Sequence, residues 1–118
     1  MDILITNNPL VNAQFADKMK VEYIDTDLLG VLEKVRDLIH KGHRLLTHPL
    51  MGSVKPNESP YKSVLISNTT ATTDVQSVTI IEESVLTAKK FVQKSIPEKY
   101  LNDLQLVDLS LIRTAINH

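Results

Sequence analysis

The chain has 118 residues, the length of one domain, and a domain of that size buries about two thirds of its unfolded surface in one core without staples. Hydrophobic residues make up 42% and charged residues 23%, with a net charge of -1, so no bulk electrostatic attraction draws it to nucleic acid or an anionic membrane. Cysteine and tryptophan are absent and aromatics are only 4%, which excludes disulfides, thiol nucleophiles and thiolate metal sites and argues against base-stacking platforms.

Ile3-Leu4-Ile5 is a short apolar run stopped by Thr6-Asn7-Asn8-Pro9. It predicts a strand over Ile3 to Thr6 covered on both faces, then a turn. The opening residues lack a basic n-region and a long apolar core, so no signal peptide is expected, and no apolar run reaches the ~20 residues of a membrane span. A cytoplasmic location is the expectation. Leu10, Val11, Phe15 and Met19 have near-helical spacing, and Pro9 suits a helix's first turn. Val21 to Ile24 alternates like a second strand. Asp25-Thr26-Asp27 supplies helix caps. Leu28, Val31, Leu32, Val35, Leu38 and Ile39 then form the clearest amphipathic stripe. Gly42 fits the left-handed stop. Gly30, unfavourable inside a helix, marks a close packing contact.

Leu45-Leu46-Thr47 predicts a third strand, followed by a long polar loop from His48 to Tyr61. Lys62 to Ser67 predicts a fourth strand. Asn68 to Thr73 reads as a Thr-rich loop with Asp74 as a helix cap. From Val75 through Val92 the apolar spacing is helical, with a strand over Val78 to Ile81 as the rival reading. Pro97 opens a short helical turn, Leu104 to Val107 predicts a final strand, and Leu109 to Ile116 a last helix. The alternation of strands and helices predicts one α/β domain over residues 1–118. It is expected to have three layers, with a mainly parallel sheet of four or five strands flanked by helices.

In an open α/β sheet, ligands bind beyond the carboxyl ends of the strands. Thr6-Asn7-Asn8, Asp25, His48 and Ser67-Asn68-Thr69 follow the expected strands and are polar. The loop after His48 is long enough to be functional. Gly52 and Ser53 offer donors, Lys55 and Lys62 offer positive charge, and Asn57 and Tyr61 offer further polar groups. The expected site, for a small anion such as a phosphate or carboxylate, is Thr6, Asn7, Asn8, His48, Gly52, Ser53, Lys55, Asn57 and Tyr61. The bland alternative is a loop shaped by Pro and Ser with solvated lysines. Leu50 and Met51, apolar in a polar loop, point to a homodimer contact.

Other chemistries have weaker support. His40, His43 and His48 have suggestive spacing, but metal sites need convergent donors, and a His in a helix's last turn is favoured by the dipole anyway. No metal is expected, and no cofactor is assigned. A hydrolytic set of His48, Ser53 or Ser67, and Asp25 lacks a GxSxG elbow. Neither a P-loop nor GxGxxG is present.

Val35 to Leu50, through Ile39-His40-Lys41-Gly42-His43-Arg44 and Thr47-His48-Pro49, resembles the GrdX family's signature, continued by Gly52 to Ser63 with Lys55-Pro56-Asn57-Glu58-Ser59-Pro60-Tyr61-Lys62. Ile5 to Leu10 is similar to that family's opening. The resemblance implies an accessory protein encoded with glycine, sarcosine and betaine reductase systems of amino-acid-fermenting anaerobes, with no activity attached and no catalytic residues to transfer. Reductase chemistry of that kind runs through thiols and selenols, so a chain without cysteine is not itself an electron relay. The leading expectation is a non-enzymatic protein that binds a small anionic ligand or a reductase partner. The alternative is a small enzyme acting on a phosphorylated or carboxylated metabolite through His48 and Lys55.

Overall fold

A computed structural model describes residues 2–52, 55–91 and 95–117. The elements run in the order β1 (Asp2–Thr6), α1 (Pro9–Phe15), β2 (Lys20–Tyr23), α2 (Leu28–His40), β3 (Ser63–Ser67), α3 (Val75–Lys90), a 3-10 turn (Glu98–Tyr100) and α4 (Leu101–Ile116). The sheet has three strands in the order β2-β1-β3. β1 pairs in parallel with β2, with Thr6 opposite Tyr23. It pairs antiparallel with β3, so that Thr6 faces Ser63 and Asp2 faces Ser67.

Apolar content explains why β1 is central. Ile3, Ile5, Val64 and Ile66 point to one face and pack with Val31, Leu32, Val35 and Ile39 of α2 and with Ile81, Val85 and Ala88 of α3. Leu4 and Leu65 point to the other face and pack with Val11 and Phe15 of α1 and Leu109 and Ile112 of α4. Strands buried on both faces read as continuous rather than alternating apolar runs. Burying a large aliphatic side chain contributes about 1.5–3 kcal/mol, so these two clusters are the main stabilising feature.

Side chains cap the helices. Asn8 accepts from the Leu10 amide at 3.0 Å, Asp27 from Gly30 at 2.8 Å, and Asp74 from the Ser77 amide at 3.1 Å. Each satisfies a helix amide that has no partner within its own helix. Gly42 ends α2 with φ +109, and the Ala71 carbonyl occupies the space a Cβ would need. At Gly30 the Thr26 side chain fills that space, the close contact that its place in a helix implied.

Several sequence expectations are corrected. The sheet has three strands, not four or five, and only one of its two pairings is parallel. An apolar run records burial, not direction, so β3's antiparallel entry had no signal. Leu45 to Thr47 forms only an isolated bridge, between Leu45 and Ile66; the Leu46 and Thr47 amides both turn to the Leu65 carbonyl, which breaks the ladder's alternation. Leu104 to Val107 lies inside α4. Four alternating residues are too short to distinguish a strand from a helix face. Val78 to Ile81 is helical. α1 ends at Phe15, short of Met19. Val92 lies outside the described residues.

Candidate functional site

The antiparallel entry of β3 decides which groups meet at the carboxyl end of β1. Ser63 sits beside Thr6, and Pro60, Tyr61 and Lys62 arrive just before it. Thr6 Oγ1 and Ser63 Oγ are 2.7 Å apart. Ser63 Oγ donates to Asp108 Oδ2 at 2.7 Å, so the Thr6 hydroxyl is the donor to Ser63. Thr6 Oγ1 in turn accepts the Asn8 amide at 3.0 Å. Asn8 Nδ2 donates to Asp108 Oδ2 and to the Gln105 carbonyl, each at 3.0 Å. All four side chains are buried. A polar network at such a depth persists only when its members are satisfied, and this one ties β1, β3, α1 and α4 together.

Asn7 performs a parallel task on the loop. Its Nδ2 donates to the Thr26 and Pro60 carbonyls, each at 2.8 Å. Its Oδ1 accepts the Lys62 amide at 2.8 Å. Tyr61 Oη accepts from Gln105 Nε2 at 2.8 Å, joining the loop to α4.

Beside this network lies a recess of about 320 Å³, counting its open mouth. Lys55, Ser59, Tyr61 and Lys62 of the loop line it, together with Asp108 of α4 and apolar side chains including Leu28, Leu104 and Leu111. Most of that volume is open to solvent, and the recess itself has room for about one water molecule. Lys62 is only 7% exposed. The ion pairs formed among the described residues are Lys34 with Glu22, Arg36 with Glu33 and Asp37, and His40 with Glu82, and none includes Lys62. Burial pushes the Lys62 ammonium below the usual lysine range, and the Asp108 carboxylate partly opposes that shift. A buried lysine with no carboxylate within ion-pair distance is costly to keep. It is therefore the residue here that most needs a functional reason.

A family model described as GrdX-like protein matches residues 3–117. The chain belongs to the GrdX-like family. No curated protein and no solved structure matches it.

The expected site residues fall into three places in this GrdX-like chain. Thr6, Asn7 and Asn8 are at the sheet edge, but their polar groups are engaged by the protein itself. Lys55 and Tyr61 line the Lys62 recess. Gly52 lies next to α4, with Leu111 Cδ1 2.8 Å from where a Cβ would stand. Asn57 Oδ1 is buried without a hydrogen-bond partner among the described residues. His48 is elsewhere, in a separate recess with Asp74, Gln76 and Ser77, and its Nδ1 accepts the Leu50 amide at 3.1 Å. Ser53 lies outside the described residues. Asp25 flanks a third recess that also touches Asn7 and Tyr61. Ser67, at the opposite end of β3, accepts the Arg44 amide and donates to the Thr69 carbonyl.

The other sequence suggestions meet ordinary structural uses in this GrdX-like protein. His40 Nε2 pairs with Glu82 at 3.0 Å across α2 and α3, and His43 Nδ1 lies 2.7 Å from the Ser67 carbonyl. Among the described residues, no three His, Asp or Glu side chains gather at metal-binding spacing. Leu50 packs against one core cluster and Met51 against the other, so their apolar character is explained within the chain. No described helix is long and apolar enough to cross a membrane. Sequence reasoning did not single out Asp108 or Ser63. The available signal was a carboxylate four residues after Leu104 and four before Ile112, on the buried stripe of a helix.

Proposed function

We propose that this protein is a non-catalytic accessory protein that binds a small anionic ligand in the recess between the 48–62 loop and α4. The observation that carries the reading is Lys62, buried and lining the recess without an ion pair among the described residues. An anion beside it would supply the missing counter-charge, and a charge-assisted hydrogen bond contributes about 1.5–3 kcal/mol. Lys55, exposed and lining the same recess, adds long-range attraction. The resemblance drawn from the sequence extends the proposal to a reductase-system protein as the macromolecular partner, in a cytoplasmic setting. A homodimer stays within the proposal as an assembly to be measured by light scattering. The test of the ligand reading is a thermal-shift series with acetate, phosphate, sulfate and acyl phosphates, because a ligand that binds only the native state raises Tm by mass action. The expected result is a saturable rise with at least one anion that is lost in Lys62→Met. Uniform shifts with every salt in both proteins would refute it.

A further inference from the structure

β1 and β2 are parallel neighbours, so their carboxyl ends lie side by side. The chain leaves those ends toward opposite faces of the sheet: α1 packs on the Leu4 face, and α2 on the face of Ile3 and Ile5. Segments that diverge from adjacent parallel strands open a crevice beyond the strand ends, where α/β folds hold their ligands. A crevice of about 390 Å³ lies at this point, lined by Asn7 after β1, by Tyr23, Asp25 and Thr26 at the end of β2, and by Tyr61 of the loop. That is the size of a small-molecule site, roughly 300–1,000 Å³. We infer that this crevice binds a small organic cation, an amine in its ammonium form with a short alkyl chain. The site shares only Tyr61 with the Lys62 recess and takes the opposite charge.

Three observations set the sign of the ligand. Asp25 is the one charged group among the described lining residues, and it is exposed and forms no ion pair among the described residues. The helix amides that draw anions to such crevices are spent. Pro9, the first residue of α1, has no amide to give; Asn8 Oδ1 holds the Leu10 amide, and Asp27 Oδ1 holds the Gly30 amide. Asp27 also adds a second negative charge where α2 begins. Finally, Tyr23 and Tyr61 supply aromatic surface and Leu101 an apolar one. Tyr23 is 40% exposed at the end of its strand. Aromatic rings attract ammonium ions, and apolar walls suit an alkyl chain. A metal ion fits less well, because it needs several converging oxygen donors, and no three acidic or histidine side chains gather among the described residues.

The crevice is held in shape by the protein. Asn7 Nδ2 donates to the Thr26 and Pro60 carbonyls, each at 2.8 Å, and so joins its two sides. The Ile24 amide donates to the Thr6 carbonyl at 2.9 Å, which carries the strand pairing up to the crevice. Gln105 Nε2 holds Tyr61 Oη at 2.8 Å. A site formed before its ligand arrives loses less entropy on binding.

The test is a set of amide NMR titrations of the full isotope-labelled chain with n-butylammonium chloride. Its neutral counterpart n-butanol, sodium chloride and sodium acetate are titrated in parallel. The expected result is a saturable shift of the Asn7, Tyr23, Asp25 and Thr26 amides with n-butylammonium, and weaker binding of n-butanol. Asp25→Asn should weaken n-butylammonium binding about two- to fivefold, the range of an exposed ion pair. Tyr23→Leu keeps an apolar side chain without a ring and should weaken it by a similar factor. Both residues are exposed, so neither change disturbs the core. Four results would each overturn the inference: no saturable shift at these amides, equal affinity for n-butanol, the same shifts with sodium chloride, or unchanged affinity in Asp25→Asn. Saturation of these amides by acetate in place of the cation would overturn it as well and make the crevice an anion site.

Discussion

Asn8 and Asp108 lie 100 positions apart and are joined by a 3.0 Å hydrogen bond from Nδ2 to Oδ2. The same Asn8 side chain caps α1 through Oδ1. One residue thus starts the first helix and anchors the last. The contact also explains why a carboxylate is tolerated on the buried face of α4: Asn8 and Ser63 both donate to it.

Removing that carboxylate should be costly. Asp108→Ala leaves the Ser63 hydroxyl and one Asn8 donor without their acceptor. A buried group left unsatisfied costs about 1–3 kcal/mol, so a loss of about 2–4 kcal/mol is expected. Asp108→Asn keeps an acceptor oxygen and should lose less. Urea unfolding monitored by circular dichroism gives both values. Midpoints for Asp108→Ala within error of the unaltered protein would mean the network contributes nothing to stability.

Helix α2 and the buried strand β1 were legible in the sequence because each has a strong period: 3.6 residues for Leu28 to Ile39, and an unbroken apolar run for Ile3 to Ile5. The caps at Asp27 and Asp74 were legible for the same local reason. The direction of β3 was not, since it depends on the path of residues 41–62 rather than on any local pattern. That one difference moved the candidate site. A parallel β3 would have brought Ser67 to the carboxyl end of β1, whereas the antiparallel one brings Lys62 and Ser63 there. Asn7 and Asn8 directly follow β1, but amides read as free donors are occupied by backbone and by Asp108. Long-range hydrogen bonds of this kind have no signature in a single sequence.

Gly42 offers a test of local backbone demand. Its φ of +109 lies where a Cβ is strained, and the Ala71 carbonyl stands in the way. Ala71 also donates its amide to the Gly42 carbonyl at 3.2 Å, so the two segments cannot part freely. Gly42→Ala should cost at least ~1–2 kcal/mol from the left-handed conformation alone, a fall in Tm of about 4 °C or more. Calorimetry checks it, and an unchanged Tm would show that the turn relaxes.

Asp74 predicts an acid-limb effect. Its hydrogen bonds from the Ser77 hydroxyl and amide hold its carboxyl below the ordinary value of 3.8. A folded pKa below the unfolded one contributes stability that is present above 3.8 and is lost as pH falls through the lower folded value. Asp74→Asn keeps a capping oxygen without titrating there. Its melting temperature should therefore fall less than that of the unaltered protein over about pH 2 to 5. Parallel curves over that range would show that Asp74 is not linked to folding.

The last prediction sets stability against function at Lys62. Burial lowers its pKa in the folded chain, while the unfolded chain holds it at the ordinary 10.5. Between those two values the unfolded state binds more protons, so stability rises with pH across that window. Below the folded value the full cost of burying the ammonium is present. Lys62→Met keeps an unbranched chain of similar reach and removes the charge. It should raise Tm at neutral pH and abolish the alkaline rise, while ending anion binding in the recess. Thermal melts from neutral to about pH 10.5, with and without acetate, read all three. A lower Tm in Lys62→Met at neutral pH would mean that Asp108 more than offsets the desolvation of Lys62. The lysine would then be a structural residue rather than one retained at a cost for its ligand.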